Sequence, residues 1–396
     1  MPNVTVNLAG ADQYVLQSTL SAYSDEAYTN ARKLSGTGIV GSNPDIDVNT
    51  ETFTGQVRWY KPLTPVINVA SITDATEGQR TDFGSDYFQY VKTVRTHGAR
   101  KVNMQKVVSQ EDGLAKISRD FAETRSQDEH NAILSVLKGV AVSEVLNGCA
   151  AGSGNTGLGG QTFNNDPTDR KYGFYVDLGS NKPIVDASAA VQGAARAEGF
   201  LRAIGMAYKD YEPEYAYLVV SPETYASLRS ANLVDEDRVT EGNVNFSTIF
   251  NGKFRLIQTR ANQSLSTAEL TKLNTGAGID LVGTKTSFVV LPGALSFNAL
   301  AVPDEVEIQR NAAAYKGGGT TDIWYRWGYI THPAGYNWKG ADTEFASDAS
   351  YGYVVEGGTP KALTTVASGT LASTVGVWER KVTSALSLQI LPIFHN

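Results

Sequence analysis

Two stretches carry the glycine spacing of a phosphate-cradling turn: Gly36-Thr37-Gly38-Ile39-Val40-Gly41 and Gly152-Ser153-Gly154-Asn155-Thr156-Gly157. Such a turn works when it follows a buried strand and opens a helix, so that backbone N–H groups and the helix dipole meet a pyrophosphate. Neither stretch has that setting. With 38 glycines in 396 residues, roughly 0.4 such matches are expected by chance, and both read as loops. Asp45-Ile46-Asp47-Val48-Asn49 opens like a calcium loop, but Thr50 stands where the sharp turn needs glycine and Gln56 where a bidentate glutamate belongs. No cofactor and no metal is expected.

Acid–base and nucleophilic chemistry are as thinly supplied. The four histidines are His97, His130, His332 and His395, and none lies in a motif that would make it a ligand or a general base. His130 falls on an apolar helical stripe, which predicts a packed, hydrogen-bonded ring. There is no G-x-S-x-G elbow. The single cysteine, Cys149, excludes an internal disulfide framework and a multi-cysteine zinc site. No catalytic residue is assigned, and an enzyme is not expected.

One group of charges has a different setting. Glu77, Arg80 and Asp82 fall in a polar, turn-rich stretch (73–84), with Arg58 and Lys61 before it. β-prone runs flank it: Val57, Trp59, Val66, Ile67, Val69 and Ile72 on one side, Phe88, Tyr90, Val91, Val94, Val102, Met104 and Val107 on the other. Together they predict a long two-stranded arm with an exposed tip. An isolated hairpin is marginal in water, so the arm needs something to lie on. Its charges read either as a solvated loop or as charge-complementary contact with a neighbour, which sets register and specificity more than affinity.

Behind the arm come the elements that must position it. Residues 1–34 read as a polar arm. Residues 109–146 contain no proline and read as helix, with Ser109 a plausible N-cap; continuous, that helix is roughly 57 Å long. Leu114, Ile117 and Phe121 share one stripe, while Ile133, Leu134, Leu137, Val140, Ala141 and Val145 share another on roughly the opposite side. The two halves therefore face different bodies, unless the polar stretch 123–129 breaks the element into two helices near Ser126.

Residues 148–182 read as a glycine-rich loop and 186–208 as an alanine-rich helix. Tyr215 to Val220 is a buried-type strand that runs into Ser221-Pro222, a cap and first turn. Asn251-Gly252 marks a hairpin. Residues 340–375 are small and polar, and Leu386, Leu388 and Ile390 restore strand alternation.

Composition sets outer limits. With 41% hydrophobic and 19% charged residues, and a formal charge of −7, the chain can bury a large core but lacks a broad basic face for nucleic acid. Residues 1–11 do not read as an export signal. The longest apolar stretch, 288–302, is broken by Pro292, Ser296 and Asn298 and is too short to span a bilayer.

The stretch Tyr217-Leu218-Val219-Val220-Ser221-Pro222-Glu223-Thr224-Tyr225-Ala226-Ser227-Leu228-Arg229 resembles the strand, small-Pro turn and helix of the tailed-bacteriophage major capsid proteins, the HK97-like fold family. Phe250-Asn251-Gly252-Lys253-Phe254-Arg255-Leu256-Ile257 is similar to that family's glycine-containing hairpin and inner strand. The order of parts matches over roughly residues 50–335. The resemblance implies an α+β fold with an N-terminal arm (1–49), an extended hairpin or E-loop (50–108), a spine helix with a glycine-rich loop in the P-domain (109–185), and an A-domain (186–300). Residues 301–396 would return to the P-domain, with a polar surface excursion at 340–375.

It further implies a virion protein assembled in the host cytoplasm as pentamers and hexamers. The shell would enclose double-stranded DNA without reading its sequence, alongside a portal and decoration proteins. No charged, helical N-terminal scaffold domain is present, so a separate scaffolding protein is expected. Some relatives join a lysine to an asparagine between subunits; no motif here assigns such a pair. The alternatives are a soluble β-rich binding module, such as one for carbohydrate, a hydrolase with dispersed catalytic groups, and an encapsulin-type compartment shell.

Overall fold

Strand alternation and long-range pairing build this chain around one long helix. The computed structural model describes residues 37–48, 52–60, 84–103, 113–149, 176–177, 213–230, 234–241, 244–249, 252–259, 265–277, 284–340, 354–356, 359–361, 363–366, 375–381 and 388–395. In chain order these form β1 (Val40–Gly41), β2 (Thr54–Tyr60), β3 (Ser85–Val91), β4 (Thr93–Val102), α1 (Gly113–Cys149) and β5 (Val176–Asp177). Next come β6 (Ala216–Val220), α2 (Pro222–Ser230), β7 (Val234–Glu241), β8 (Val244–Ile249), β9 (Phe254–Gln258), α3 (Thr267–Ala277) and β10 (Lys285–Val290). The remainder gives β11 (Leu295–Leu300), β12 (Val306–Asn311), β13 (Thr320–Pro333), β14 (Tyr336–Trp338), β15 (Val354–Glu356), β16 (Thr359–Lys361), β17 (Val375–Gly376), β18 (Trp378–Arg380) and β19 (Ile390–His395). The fold is mixed α+β. Among the described residues no helix is long and apolar enough to cross a membrane.

A seven-stranded sheet runs in the order β5-β19-β10-β6-β9-β8-β7. Its centre is aliphatic because every residue of β6 is buried and both neighbours are paired. Local chemistry sets its turns. Thr224 N–H donates to Ser221 Oγ at 3.2 Å, capping α2 where Pro222 opens it. Gly252, at φ +84°, makes the reversal between β8 and β9 that L side chains resist. Ser266 and Glu269 form a capping box on α3, with Ser266 N–H donating to Glu269 Oε2 at 2.6 Å and Glu269 N–H to Ser266 Oγ at 3.3 Å. The last strand differs from expectation: β19 pairs with β10 along its whole length, so it completes this sheet and leaves the 301–340 segment behind.

The second large sheet is centred on β13. β4 lies along one side, from Thr320↔Val102 to Tyr329↔Thr93, while β12 and β11 share the other side and β1 adds in parallel beyond β11.

The long helix is one element of 37 residues, not two, and about 55 Å long. Its first half meets the β13 sheet, where Phe121 stacks on Tyr325 at 5.5 Å and the His97 ring stands edge-on to Phe121 at 5.3 Å. Its second half, through Ile133, Leu137, Val140, Ala141 and Val145, is buried on the side of β17, β18 and β19. The polar middle is a joint as well as a spacer. Arg125 Nη1 donates to Tyr325 OH at 2.7 Å, while Trp327 Nε1 and Tyr329 OH both donate to Asp128 Oδ2, at 3.0 and 2.9 Å. Glu129 is buried beside Arg125. Charged hydrogen bonds of this kind fix orientation where apolar packing alone would let the helix slide.

Residues 340–375 are not simply a surface excursion. In their described parts β15 pairs with both β16 and β17, and Val354, Leu363 and Val366 are buried in the core. Their few apolar side chains are spaced to meet the helices, a pattern too sparse to stand out in composition. Just beyond, Trp378 N–H donates to Ser143 Oγ at 3.2 Å, tying β18 to α1. The arm at 1–34, the Ser109 cap and the helix at 186–208 lie outside the described residues, as does the loop at 148–182 apart from Cys149 and its neighbours in α1 and from β5.

Candidate assembly surfaces

The predicted arm is a hairpin, shorter than expected at its root. β2 and β3 pair antiparallel from Thr54↔Val91 to Tyr60↔Ser85. The second β-prone run divides at Lys92, whose N–H donates to Phe53 O at 2.9 Å. Beyond that point the chain leaves β2 and pairs with β13 instead. The β13 partner lies more than 200 residues away, and local periodicity carries no trace of it.

Alternation gives the hairpin two faces. One carries Gln56, Arg58 and Tyr60 beside Gln89, Tyr87 and Ser85. The other carries Val57 and Trp59 beside Phe88, and Trp59 stacks on Phe88 at 4.9 Å. This second face leans on the body: the Phe88 ring lies 6.1 Å from His332 of β13, which in turn meets Trp378 edge-on at 5.7 Å. Burial pushes the His332 imidazole down to about 4, with the backbone at Tyr336 opposing weakly.

The root is held by further bonds. Gln89 N–H donates to Asn337 Oδ1 at 2.7 Å, and Tyr90 OH donates to Asp47 O at 2.6 Å. Lys92 is buried there, and its ammonium is held below its ordinary value by burial, with Asp47 pulling the other way.

Among the described residues the other end of the hairpin is more open. Tyr60 and Tyr87 are 55% and 52% exposed. Arg58 donates from Nη2 to Ser85 Oγ at 3.2 Å and lies 5.4 Å from the centre of the Tyr60 ring, an ordered cation–π edge on the open face. Of the five charged residues proposed for contact, the structure places Arg58 on this face. Lys61, Glu77, Arg80 and Asp82 lie outside the described residues. The two tyrosines were missed, although the alternation Gln56-Val57-Arg58-Trp59-Tyr60 held the signal.

The histidines offer no shared chemistry. His97 packs on Phe121, His130 lies half-buried on α1, and His395 Nε2 pairs with Ser287 Oγ at 2.8 Å. The second calcium-like aspartate, Asp47, uses its carbonyl to accept Tyr90. Among the described residues no group of His, Cys, Asp and Glu is arranged to hold a metal ion.

No family model and no curated protein matches the sequence. The chain is similar in structure to the head of Helicobacter pylori bacteriophage KHP40, with a TM-score of 0.48 and 8% identity over 92% of this chain and 91% of that one. It is similar to the capsid of Ralstonia phage GP4, with a TM-score of 0.45 and 12% identity over 76% and 87% of the two chains. It is also similar to a virus-like particle from Pyrococcus furiosus, with a TM-score of 0.36 and 12% identity over 79% and 93%. These are likenesses of shape.

Proposed function

We propose that this chain is a self-assembling shell subunit, a major capsid protein of the tailed-phage type that its sequence resembles. The observation that carries the reading is the open face of the β2–β3 hairpin. Its root is anchored by Tyr90, Gln89 and Lys92, while its far end exposes Arg58, Tyr60 and Tyr87. A two-stranded ribbon gains little from such aromatics in water; they stabilise it only when laid on a second surface. Tyrosine and arginine are also the residue types that anchor protein interfaces.

In this reading each copy gives an arm to one neighbour and receives one from another, so weak contacts add into a stable lattice. Arg58, with Lys61, Glu77, Arg80 and Asp82, sets the register. The shell forms from pentamers and hexamers in the host cytoplasm, with a separate scaffolding protein, a portal and decoration proteins. It encloses double-stranded DNA without sequence-specific contact, and the net charge of −7 limits sticking to the packed polymer. No residue carries out covalent chemistry.

Negative-stain microscopy tests the proposal, on the chain expressed alone and with its neighbouring reading frames. Shells, tubes or rings of five and six are expected, and the double variant Tyr60→Ser, Tyr87→Ser is expected to assemble poorly while staying folded. Uniform monomers under both conditions would overturn the reading in favour of a β-rich binding module.

A further inference from the structure

The outer face of the β13 sheet, turned away from α1, is a second surface of different character. Alternation places Thr96, Gly98 and Arg100 of β4 opposite Arg326, Trp324 and Asp322 of β13. Glu307 and Gln309 of β12 stand opposite Trp324 and Asp322 on the other side. The intervening residues Ile323 and Tyr325 point inward and are buried. Trp324, at the centre of the outer face, is 39% exposed.

The indole has a defined pose. A Cβ added at Gly98 would stand 2.7 Å from Cζ3, 2.8 Å from Cε3 and 3.1 Å from Cη2 of Trp324. Three adjacent ring carbons at nearly equal distance put that point over the face of the ring, not off its rim. The indole therefore lies flat across the glycine and turns its other face outward.

A polar frame surrounds it. Asp322 accepts Arg100 Nε at 2.6 Å and Nη2 at 3.0 Å, one on each carboxylate oxygen. Glu307 accepts Arg326 Nη2 on one oxygen and Gln309 Nε2 on the other, both at 2.5 Å. Arg326 Nη1 also donates to Asp304 O at 2.9 Å. Each charge in the frame faces an opposite one, so the frame is neutral and its groups are oriented in advance.

That balance selects the ligand. An anion would have to displace a carboxylate from its arginine, and a cation would have to displace a guanidinium. An added peptide strand would join a sheet edge and not this face, because β13 beneath Trp324 is paired on both sides. A neutral polyhydroxyl ring meets none of these conflicts: its C–H face covers the indole, while its hydroxyls share the spare lone pairs and protons around the rim. With ~7 Å between alternate residues and ~5 Å between strands, the platform measures roughly 14 by 10 Å, room for about two sugar rings. We propose that this face binds a neutral saccharide, with a pyranose ring stacked on Trp324 and its hydroxyls bonded to Asp322, Glu307, Gln309 and Arg100. The site belongs to a single chain and does not rest on the assembly reading.

The test is an array of immobilised neutral oligosaccharides, covering glucose, galactose, mannose and N-acetylglucosamine series. It is probed with the labelled full-length protein and followed by saturation-transfer NMR on the best-retained sugar. Retention is expected to fall about tenfold or more in Trp324→Ala and about threefold in Trp324→Phe, since a flat ring of smaller area remains. Arg100→Ala, at an exposed position, is expected to weaken retention without moving the unfolding transition, which separates lost binding from lost fold. The proposal is overturned if no sugar on the array retains the protein, or if Trp324→Ala is retained like the parent.

Discussion

The chain uses one device twice and obtains different results. At Gly55↔Tyr90 in the hairpin and at Gly98↔Trp324 in the β13 sheet, an aromatic residue stands directly across from a glycine on the paired strand. In both the ring crosses the space a Cβ would fill, covering backbone that glycine leaves bare. Tyr90 is 1% exposed, packed with Ile46 and Ile330, and its hydroxyl ends on the Asp47 carbonyl. Trp324 is 39% exposed and framed by ion pairs. The difference lies in what stands above the ring. A third layer of chain over Tyr90 turns the pair into an anchor, while Trp324, with none over it among the described residues, is left as a platform.

The comparison breaks most sharply at the glycines. Gly55→Ala would drive a methyl group into the Tyr90 ring, Cε2 being 2.6 Å from the added carbon, and that ring is walled in. The hairpin root must shift, costing about 3 kcal/mol. Thermal unfolding of Gly55→Ala should show a drop of about 4 °C, and an unchanged transition would mean that Tyr90 is free to move.

Acid should separate the two regions next. His332 lies beneath the hairpin root against Phe88 and is kept neutral by burial, its pKa pushed down to about 4. An unfolded histidine titrates near 6.5, so the stability this group contributes is fully present above that value. It is lost as pH falls from about 6.5 towards 4, by about 3 kcal/mol in total. The platform should not respond over that range. Its Asp322 and Glu307 carboxyls are held below their ordinary values by hydrogen bonds from Arg100 and from Arg326 and Gln309. Urea titrations at several pH values, on the parent and on His332→Phe, measure this directly. Parallel loss of stability in both proteins would remove His332 from the account. Tyr90→Phe should cost less, about 1 kcal/mol, by removing the hydroxyl that donates to the part-buried Asp47 carbonyl.

Much of this molecule was legible where the controlling interaction is local. The Ser221-Pro222 start of α2, the Asn251-Gly252 reversal and the two opposed stripes of α1 each depend on residues within a few positions of one another. Arg58 falls on the ribbon that the β-prone runs predict, and its contact role stays a proposal. What stayed hidden depends on distant partners. The departure of β4 from the arm is decided by β13, and the place of β19 by β10. Neither Tyr90 nor Trp324 announces its glycine, because the registers join residues that periodicity cannot connect. Alternation along β13 does put Trp324 on the polar side with Asp322 and Arg326, but sequence alone cannot say whether another layer covers that side.

The smallest expected effect is the most discriminating. Gly98→Ala places its methyl 2.7 Å from Cζ3 of Trp324, which is the far end of an exposed side chain and can swing outward. Alanine is favoured over glycine in a strand interior by roughly 0.5–1 kcal/mol, which offsets part of the lost stacking, so the net change should be within about 1 kcal/mol. In a Trp324→Ala background the same substitution meets no ring and should be stabilising. The double-mutant cycle isolates the glycine–indole term, and a coupling as large as that between Gly55 and Tyr90 would mean that Trp324 is held as rigidly as Tyr90. The anchor and the platform would then be one structure, and exposure alone would not make a binding surface.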